Sequence, residues 1–334
     1  EAIVEEVNKC GGRPIIGDSS GFEFDTETTF KILGVHEFGR RMQVEVLNLD
    51  ACRFTKIKLQ KGLIKEVQIP ELVQKANVLI NVPKFKRHSL TKVSLGIKNL
   101  FGLLARESRR KIHAVGLERG IFELARVIKC NLTIVDGSVV TERAVYGRHH
   151  PLGLVVGSTD VYAADMHCCH LLKVNHKNVE HIRLALDEGL AQERYDVIFL
   201  SSKDGEHKFC PTLHYQEDGI SRKVHRLGYQ LMYLCDIPYS RIRGGQSLIP
   251  KAHFYFGIRP KLDPRKCTDC GDCLAVCPQN AIQLSHRRIV ASLCEPVRCL
   301  KCFQVCKKSA ISVHGYQARD ISKSLNKIAY RKMK

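Results

Sequence analysis

The sequence contains no tryptophan and only four methionines in 334 residues. Aromatic residues make up 7% of it, and no stacking motif of rings stands out, which argues against a nucleic-acid-binding role. No run of 18 apolar residues occurs, so no membrane-spanning helix is expected. No charged-then-apolar leader opens the chain. G-x-G-x-x-G and the P-loop pattern are both absent, which removes the usual marks of nicotinamide and nucleotide binding. C-x3-C-x2-C is absent too, so radical chemistry built on that spacing is not indicated. A flavin leaves no single signature, and nothing in the chain supports one. Gly17-Asp-Ser-Ser-Gly21 matches G-x-S-x-G, but no helical pattern follows it directly, as a nucleophile elbow requires. The chain starts at Glu1 without a methionine, inside a helical pattern, and a strand is expected to precede it.

Cysteine, by contrast, is abundant. Fifteen are present, and eight fall between Cys267 and Cys306. The first four, Cys267, Cys270, Cys273 and Cys277, form C-x2-C-x2-C-x3-C followed by Pro278. This is the run that holds cubane iron–sulfur clusters. Three thiolates on one tight loop reach three irons of one cubane, and the fourth lies too far round and serves the other. The expected assignment is therefore crossed. Cys267, Cys270, Cys273 and Cys306 hold one [4Fe-4S] cluster; Cys294, Cys299, Cys302 and Cys277 hold a second. Pro278-Gln-Asn-Ala-Ile282 and Lys307-Lys-Ser-Ala-Ile311 follow the two runs at the same offset, as a pseudo-symmetric two-cluster fold requires. Zinc needs four cysteines in two C-x2-C pairs, and the x2, x2, x3 rhythm over eight does not match it. The segment resembles the bacterial two-cluster ferredoxin domain. It departs where the second run opens C-x4-C, at Cys294 and Cys299, and where Lys307 stands in place of a proline.

The other seven cysteines are scattered through a chain neither small nor visibly secreted, and are read as reduced. A cytoplasmic setting in an anaerobe is the expectation, because exposed cubanes are oxygen-sensitive. The formal charge is +19. Two oxidised cubanes with their thiolates would add about −4. Such a surface suits an acidic, soluble electron-transfer partner and an anionic small molecule. Part of the excess lies in the tail after Ser322, with Lys323, Lys327, Arg331, Lys332 and Lys334.

Strand patterns at 13–18, 43–49, 55–59, 64–69, 77–83, 132–136, 153–156 and 196–201 alternate with helical patterns at 98–104, 116–129 and 179–190. Thr159-Asp160 marks a helix start. The expectation is an α/β domain over residues 1–258 with a mostly parallel sheet, a small α+β two-cluster ferredoxin domain over 259–315, and a basic tail over 316–334. Arg259-Pro-Lys-Leu-Asp-Pro264 reads as the linker.

Polar residues gather at the expected C-terminal ends of strands, where open α/β sheets bind ligands. Lys84, Lys86 and His88 alternate and so share a face, and Lys98 and Asn99 follow Gly96. Together these can clamp a phosphate or carboxylate. Asp136 precedes Gly137, and Asp165 lies one turn beyond Asp160, which reads as a helix cap. His167 and His170 share a helix face around Cys168 and Cys169, which read as core.

The stretches Asn81–Gly102, Val135–Gly137 and Gly157–Asp165 resemble the family known as domain of unknown function 362. Its iron–sulfur members join this domain to a two-cluster ferredoxin domain in the order seen here. The resemblance implies an α/β fold and a site that uses Lys84, Lys86, His88, Lys98, Asn99, Asp136, Asp160 and Asp165. It implies no settled reaction. The expected function is an iron–sulfur oxidoreductase, with Lys84, Lys86, Lys98 and Asn99 binding an anion and Asp136, Asp165 and His88 as acid–base candidates. The alternatives are an electron carrier or adaptor without a substrate of its own, and a nucleic-acid-binding protein with structural clusters.

Overall fold

The computed structural model describes residues 1–21, 24–62, 64–88, 90–141, 149–200, 219–244, 247–249, 259–294 and 299–314. The basic tail of 316–334, Ser201 and the Cys294–Cys299 insertion at 295–298 lie outside the described residues. The chain divides into two compact units, Glu1–Cys52 with Pro238–Lys334, and Arg53–Ile237.

The first unit begins with helix α1 (Ala2–Lys9), strand β1 (Ile15–Asp18), α2 (Thr26–Leu33), α3 (Val35–Met42) and β2 (Glu45–Asn48). Asp25 caps α2 by accepting from the Thr28 amide at 2.7 Å. Gly34 ends it in the left-handed region, at φ +67°, where a side chain would be strained. β1 and β2 pair in parallel, Ile15 opposite Glu45. β1 forms where a strand is expected over 13–18, with Ile15 exposed.

The second unit opens with an antiparallel hairpin, β3 (Phe54–Lys58) and β4 (Glu66–Pro70), at the predicted place. A short helix α4 (Glu71–Lys75) leads to β5 (Ile80–Asn81), the hairpin β6 (Lys86–His88) and β7 (Lys92–Ser94), and the single turn α5 (Gly96–Asn99). Helices α6 (Arg106–Val115) and α7 (Leu117–Val127) follow, then β8 (Leu132–Thr141), β9 (His149–Ser158), α8 (Val161–Leu171), α9 (Glu180–Asp187) and α10 (Gly219–Ile242).

This is a mixed α/β arrangement, but its sheets are small and the mostly parallel sheet is not seen among the described residues. The largest has the order β5-β8-β9, with β5 parallel to β8 and β8 antiparallel to β9. The reason lies in the connection. Residues 142–148 are too few for a parallel crossover, which needs about a dozen. β8 therefore does not end at Asp136. It runs on to Thr141 through an irregularity between Gly137 and Val139, and β9 returns beside it. The strand expected at 196–201 is not formed over 196–200, where Ile198, Phe199 and Leu200 are exposed. The core gathers Phe85, Leu95 and Ile97 with Ile121, Phe122 and Leu124 of α7 and Met166, Cys168 and Cys169 of α8. Burial of each of the Phe, Leu, Ile and Met side chains among them contributes about 1.5–3 kcal/mol.

The first unit also holds β10 (Arg259–Leu262), β11 (Ile282–Gln283), β12 (Arg288–Ile289) and β13 (Ile311–His314). β10 pairs with β13 and β11 with β12, both antiparallel. Four of the six residues of the expected linker are thus a strand. Proline is tolerated there because each of these sheets has two strands, and both are edges. Single helical turns at Asp272–Ala275 and Lys301–Val305 carry cysteines, and Leu262, Cys273, Ile282, Cys302 and Ile311 make a separate small core. No described helix is long and apolar enough to cross a membrane.

Candidate functional site

The eight clustered cysteines fall into two sets of four. One cavity is lined by Cys267, Cys270, Cys273 and Cys306. Another is lined by Cys277, Cys294, Cys299 and Cys302. Each cavity therefore takes three thiols from one run and the fourth from the other, in the crossed grouping. The two fourth cysteines are held alike. The Ala281 amide donates to Cys277 Sγ at 3.3 Å, and the Ala310 amide donates to Cys306 Sγ at 3.2 Å. Asn280 and Ser309, which precede those alanines, both take positive φ, at 49°. The two five-residue repeats thus build one turn twice, and Lys307 replaces proline without altering it. Four thiols per cavity, with amide hydrogens aimed at sulfur, is a donor set that fits a cubane. Among the described residues, no three His, Cys, Asp or Glu side chains stand close enough to hold a single metal ion. A cubane instead spreads its four thiolates over four irons.

The second constellation lies in the Arg53–Ile237 unit and is built on a locked turn. Asp165, fully buried on α8, accepts from the Gly96 amide at 2.7 Å and the Ile97 amide at 2.9 Å, one oxygen to each. Asn81, also buried, donates to the Gly96 carbonyl at 2.9 Å and accepts from Asn99 Nδ2 at 2.8 Å. Two buried polar side chains from separate elements, Asp165 of α8 and Asn81 of β5, therefore fix α5, and with it Lys98. Burial, opposed by the two amide bonds, pushes the Asp165 carboxyl up to about 7. Gly96 is required by the close approach. A Cβ there would sit 2.8 Å from Val161 Cγ2 and 2.9 Å from Asp165 Oδ1. Gly96→Ala is expected to cost about 1–3 kcal/mol by urea unfolding. An unchanged midpoint would show that the turn yields.

Around this turn the structure gathers positive charge. His88, at the end of β6, accepts at Nδ1 from the Leu90 and Thr91 amides at 3.1 and 3.3 Å, which leaves its ring hydrogen on Nε2. Burial lowers its pKa well below the usual range, and the charges of Lys98, Lys86, His113 and His181 lower it further. His113 on α6 is lowered to about 3 by burial and by Lys98 and Arg109. The Lys98 ammonium lies 5.1 Å from the Phe101 ring centre, Phe101 meets His113 edge-on at 5.2 Å, and His113 stacks on Tyr233 at 4.5 Å. Lys86, His88 and Lys98 thus share one electrostatic environment, as the sequence pattern anticipates. Arg87, pointing the other way from β6, donates to the Leu172 carbonyl at 2.8 Å.

Two expected members are placed elsewhere. Lys84 pairs with Asp136 at 2.6 Å, and Ser138 donates to Asp136 through its amide at 2.9 Å and its hydroxyl at 2.6 Å. Partial burial pushes the Asp136 carboxyl up, but these bonds prevail and hold it at about 2. Asp136 is thus a fixed, ionised partner of Lys84. Asp160 caps α8 by accepting from the Tyr162 amide at 2.8 Å. His167 and His170 do share a face, with ring centres 6.2 Å apart, over buried Cys168 and Cys169.

The reading from sequence missed His113, Arg109, His181 and Glu118. The charged run Arg106-Glu-Ser-Arg-Arg-Lys111 has the look of a solvated face, yet Ser108, Arg109 and Arg110 are buried. Arg110 is neutralised by buried Asp236 at 2.7 Å. The available signal was the helical spacing that puts Arg109 and Ile112 on one side of α6.

A family model described as a domain of unknown function, DUF362, matches residues 1–170. A 4Fe-4S binding domain model matches residues 260–283, which hold the first cysteine run. Among curated proteins, the chain is similar to the thylakoid-associated protein sll1697 of Synechocystis sp., with 26% identity over 185 residues. That stretch is 52% of this chain and 56% of the relative, so the match spans little more than half of either. No solved structure matches.

Proposed function

Since the chain belongs to the DUF362 family and carries a 4Fe-4S binding domain, we propose that it is an iron–sulfur reductase acting on an anionic substrate. The observation that carries this reading is the grouping of eight cysteines around two cavities, four to each. Two [4Fe-4S] clusters bound there would supply one-electron transfer. Cys267, Cys270, Cys273 and Cys306 would hold one; Cys277, Cys294, Cys299 and Cys302 the other. The chain's own contribution to the substrate is the group of Lys86, His88, Lys98 and His113. Lys86 and Lys98 bind the anion as point charges, and Asn99 and Asp165 keep Lys98 in place. Burial and the neighbouring positive charges hold His88 and His113 neutral, and they are the acid–base candidates. Asp136 and Lys84 neutralise each other and shape the strand beside it. An acidic soluble protein is the expected electron partner, because the segment around the cysteines is rich in lysine and arginine.

The test begins with anaerobic reconstitution, which is expected to yield about eight irons and eight sulfides per chain. Zinc without sulfide would sink the reading. The reduced protein is then offered reducible carboxylates and phosphate esters while its visible absorption is followed. Reoxidation is expected to depend on Lys98 and to be lost in Lys98→Ala. Reoxidation indifferent to Lys98 and to the anion would leave an electron carrier without its own substrate.

A further inference from the structure

The two cysteine loops share one turn but carry opposite charges. Gly271 follows Cys270 and Leu300 follows Cys299, and both take positive φ, at 81° and 57°. In the first loop Asp269 precedes Cys270 and Asp272 precedes Cys273. In the second, Arg298 and Lys301 hold those places in the sequence. The Asp269 carboxylate is also pinned. The Cys267 thiol donates to Asp269 Oδ1 at 3.5 Å. Arg287, in the turn between β11 and β12, grips the same carboxylate. Its Nε donates at 3.2 and 3.1 Å to the two oxygens, and its Nη1 donates to the Pro264 carbonyl at 3.2 Å. Asp269 and Arg287 both take positive φ, at 54° and 44°. Left-handed backbone is uncommon at a residue as bulky as arginine and persists where surrounding contacts hold it.

We propose that Asp269, clamped by Arg287 against Cys267, gives the first cysteine site the lower reduction potential of the two, so that the first electron to enter the chain rests at the second site. The inference rests on the two-cluster reading above. Reduction of either site takes one electron from an external donor, makes and breaks no covalent bond, and adds one negative charge to the cluster with its thiolates. With Cys267 ionised as an iron ligand, no hydrogen remains between its sulfur and Asp269, and carboxylate faces thiolate. A further negative charge there is disfavoured. Arg287 offsets part of the repulsion, and its hydrogen bonds keep the carboxylate from turning away. Lys308 lines the same cavity and acts in the opposite sense, but from an exposed, flexible stem. The apolar walls do not separate the two sites. Leu262, Leu284 and Ile311 line the first cavity, and Ile282, Ile289 and Leu300 the second. The charges of the two loops therefore decide the order. Asp269 and Arg287 are each about half-exposed, so solvent keeps the difference modest.

The test is a redox titration of the anaerobically reconstituted full chain, followed by electron paramagnetic resonance. Cys299→Ala keeps the first site alone and Cys270→Ala the second alone, whichever way the fourth ligands are shared. The first site alone is expected to reduce at lower potential than the second alone. Asp269→Asn removes the charge, keeps the shape and suits the left-handed backbone. Added to Cys299→Ala, it should raise the ratio of reduced to oxidised first site about three- to tenfold at a fixed potential, an upward shift of ~30–60 mV. Added to Cys270→Ala, it should leave the second site where it was. An Asp269 that only shaped the loop would change iron content and not the midpoint. A first-site midpoint unmoved by Asp269→Asn, or lying above that of the second site, overturns this inference and leaves both clusters standing. An unmodified chain that takes up no iron and sulfide removes the cluster reading and this inference with it. Where Asp269→Asn fails to load, the order of the two midpoints decides.

Discussion

Asp165→Asn is expected to reverse its effect on stability between acid and mildly alkaline pH. The Asp165 carboxyl sits at about 7 against an ordinary 3.8, so the folded chain holds a proton that the unfolded chain has released. Stability from this group is fully present below about 4, declines as pH rises, and levels off above about 7. Between pH 5 and pH 8 the unmodified chain should lose on the order of 3 kcal/mol through this residue alone. Asparagine has nearly the same shape and does not titrate. Its single carbonyl oxygen can accept only one of the two amides, Gly96 or Ile97, and its NH2 then faces the other. That mismatch costs about 1–3 kcal/mol at any pH. The variant should therefore be less stable than the parent near pH 5 and equal or more stable near pH 8. Urea midpoints of both chains at the two pH values decide it, since groups common to both cancel. Midpoints separated by the same amount at both pH values would show that Asp165 titrates as an ordinary carboxyl.

What the sequence disclosed and what it hid follow one division. Features set by local chemistry were legible: the hairpin at β3 and β4, the Asp160 cap, the amphipathic α7, and the cysteine repeats with their shared turn. Features set by distant partners were not. Nothing in the spacing of Lys84 says that Asp136, 52 residues on, will take its charge. Nothing in Arg110 says that Asp236 will let it be buried. Lys86, His88 and Lys98 could be grouped from the sequence because two of them alternate on one strand and the third follows a glycine-marked turn. His113 and His181 were missed because helices bring them in from outside that stretch. The sheet was misread for a related reason. Gly137 looked like the end of a strand, whereas the chain bends there and pairs onward as far as Thr141 and His149.

The largest loss is expected where the two cysteine runs exchange their fourth members. Cys277 follows the helical turn Asp272–Ala275, which carries it round from the loop of Cys267, Cys270 and Cys273. Cys277 lines the cavity of Cys294, Cys299 and Cys302, while Cys306 lines that of the first three. Cys277→Ala should therefore empty the cavity of the second run, and Cys306→Ala that of the first, each leaving about four irons of eight. Iron content alone does not reveal which cavity was emptied, but paired variants do. Under the crossed arrangement, adding Cys299→Ala to Cys277→Ala removes a second ligand from a site already lost, so the iron content stays near four. Adding Cys270→Ala to Cys277→Ala strikes the other site and takes the content toward zero. An uncrossed arrangement predicts the reverse for both pairs. Electron paramagnetic resonance of the reduced protein gives an independent reading, because two neighbouring reduced clusters couple and a lone one does not. If Cys277→Ala with Cys270→Ala retains about four irons, each run serves its own cluster, and the shared turns at Ala281 and Ala310 then only shape the chain and do not aim its sulfurs across.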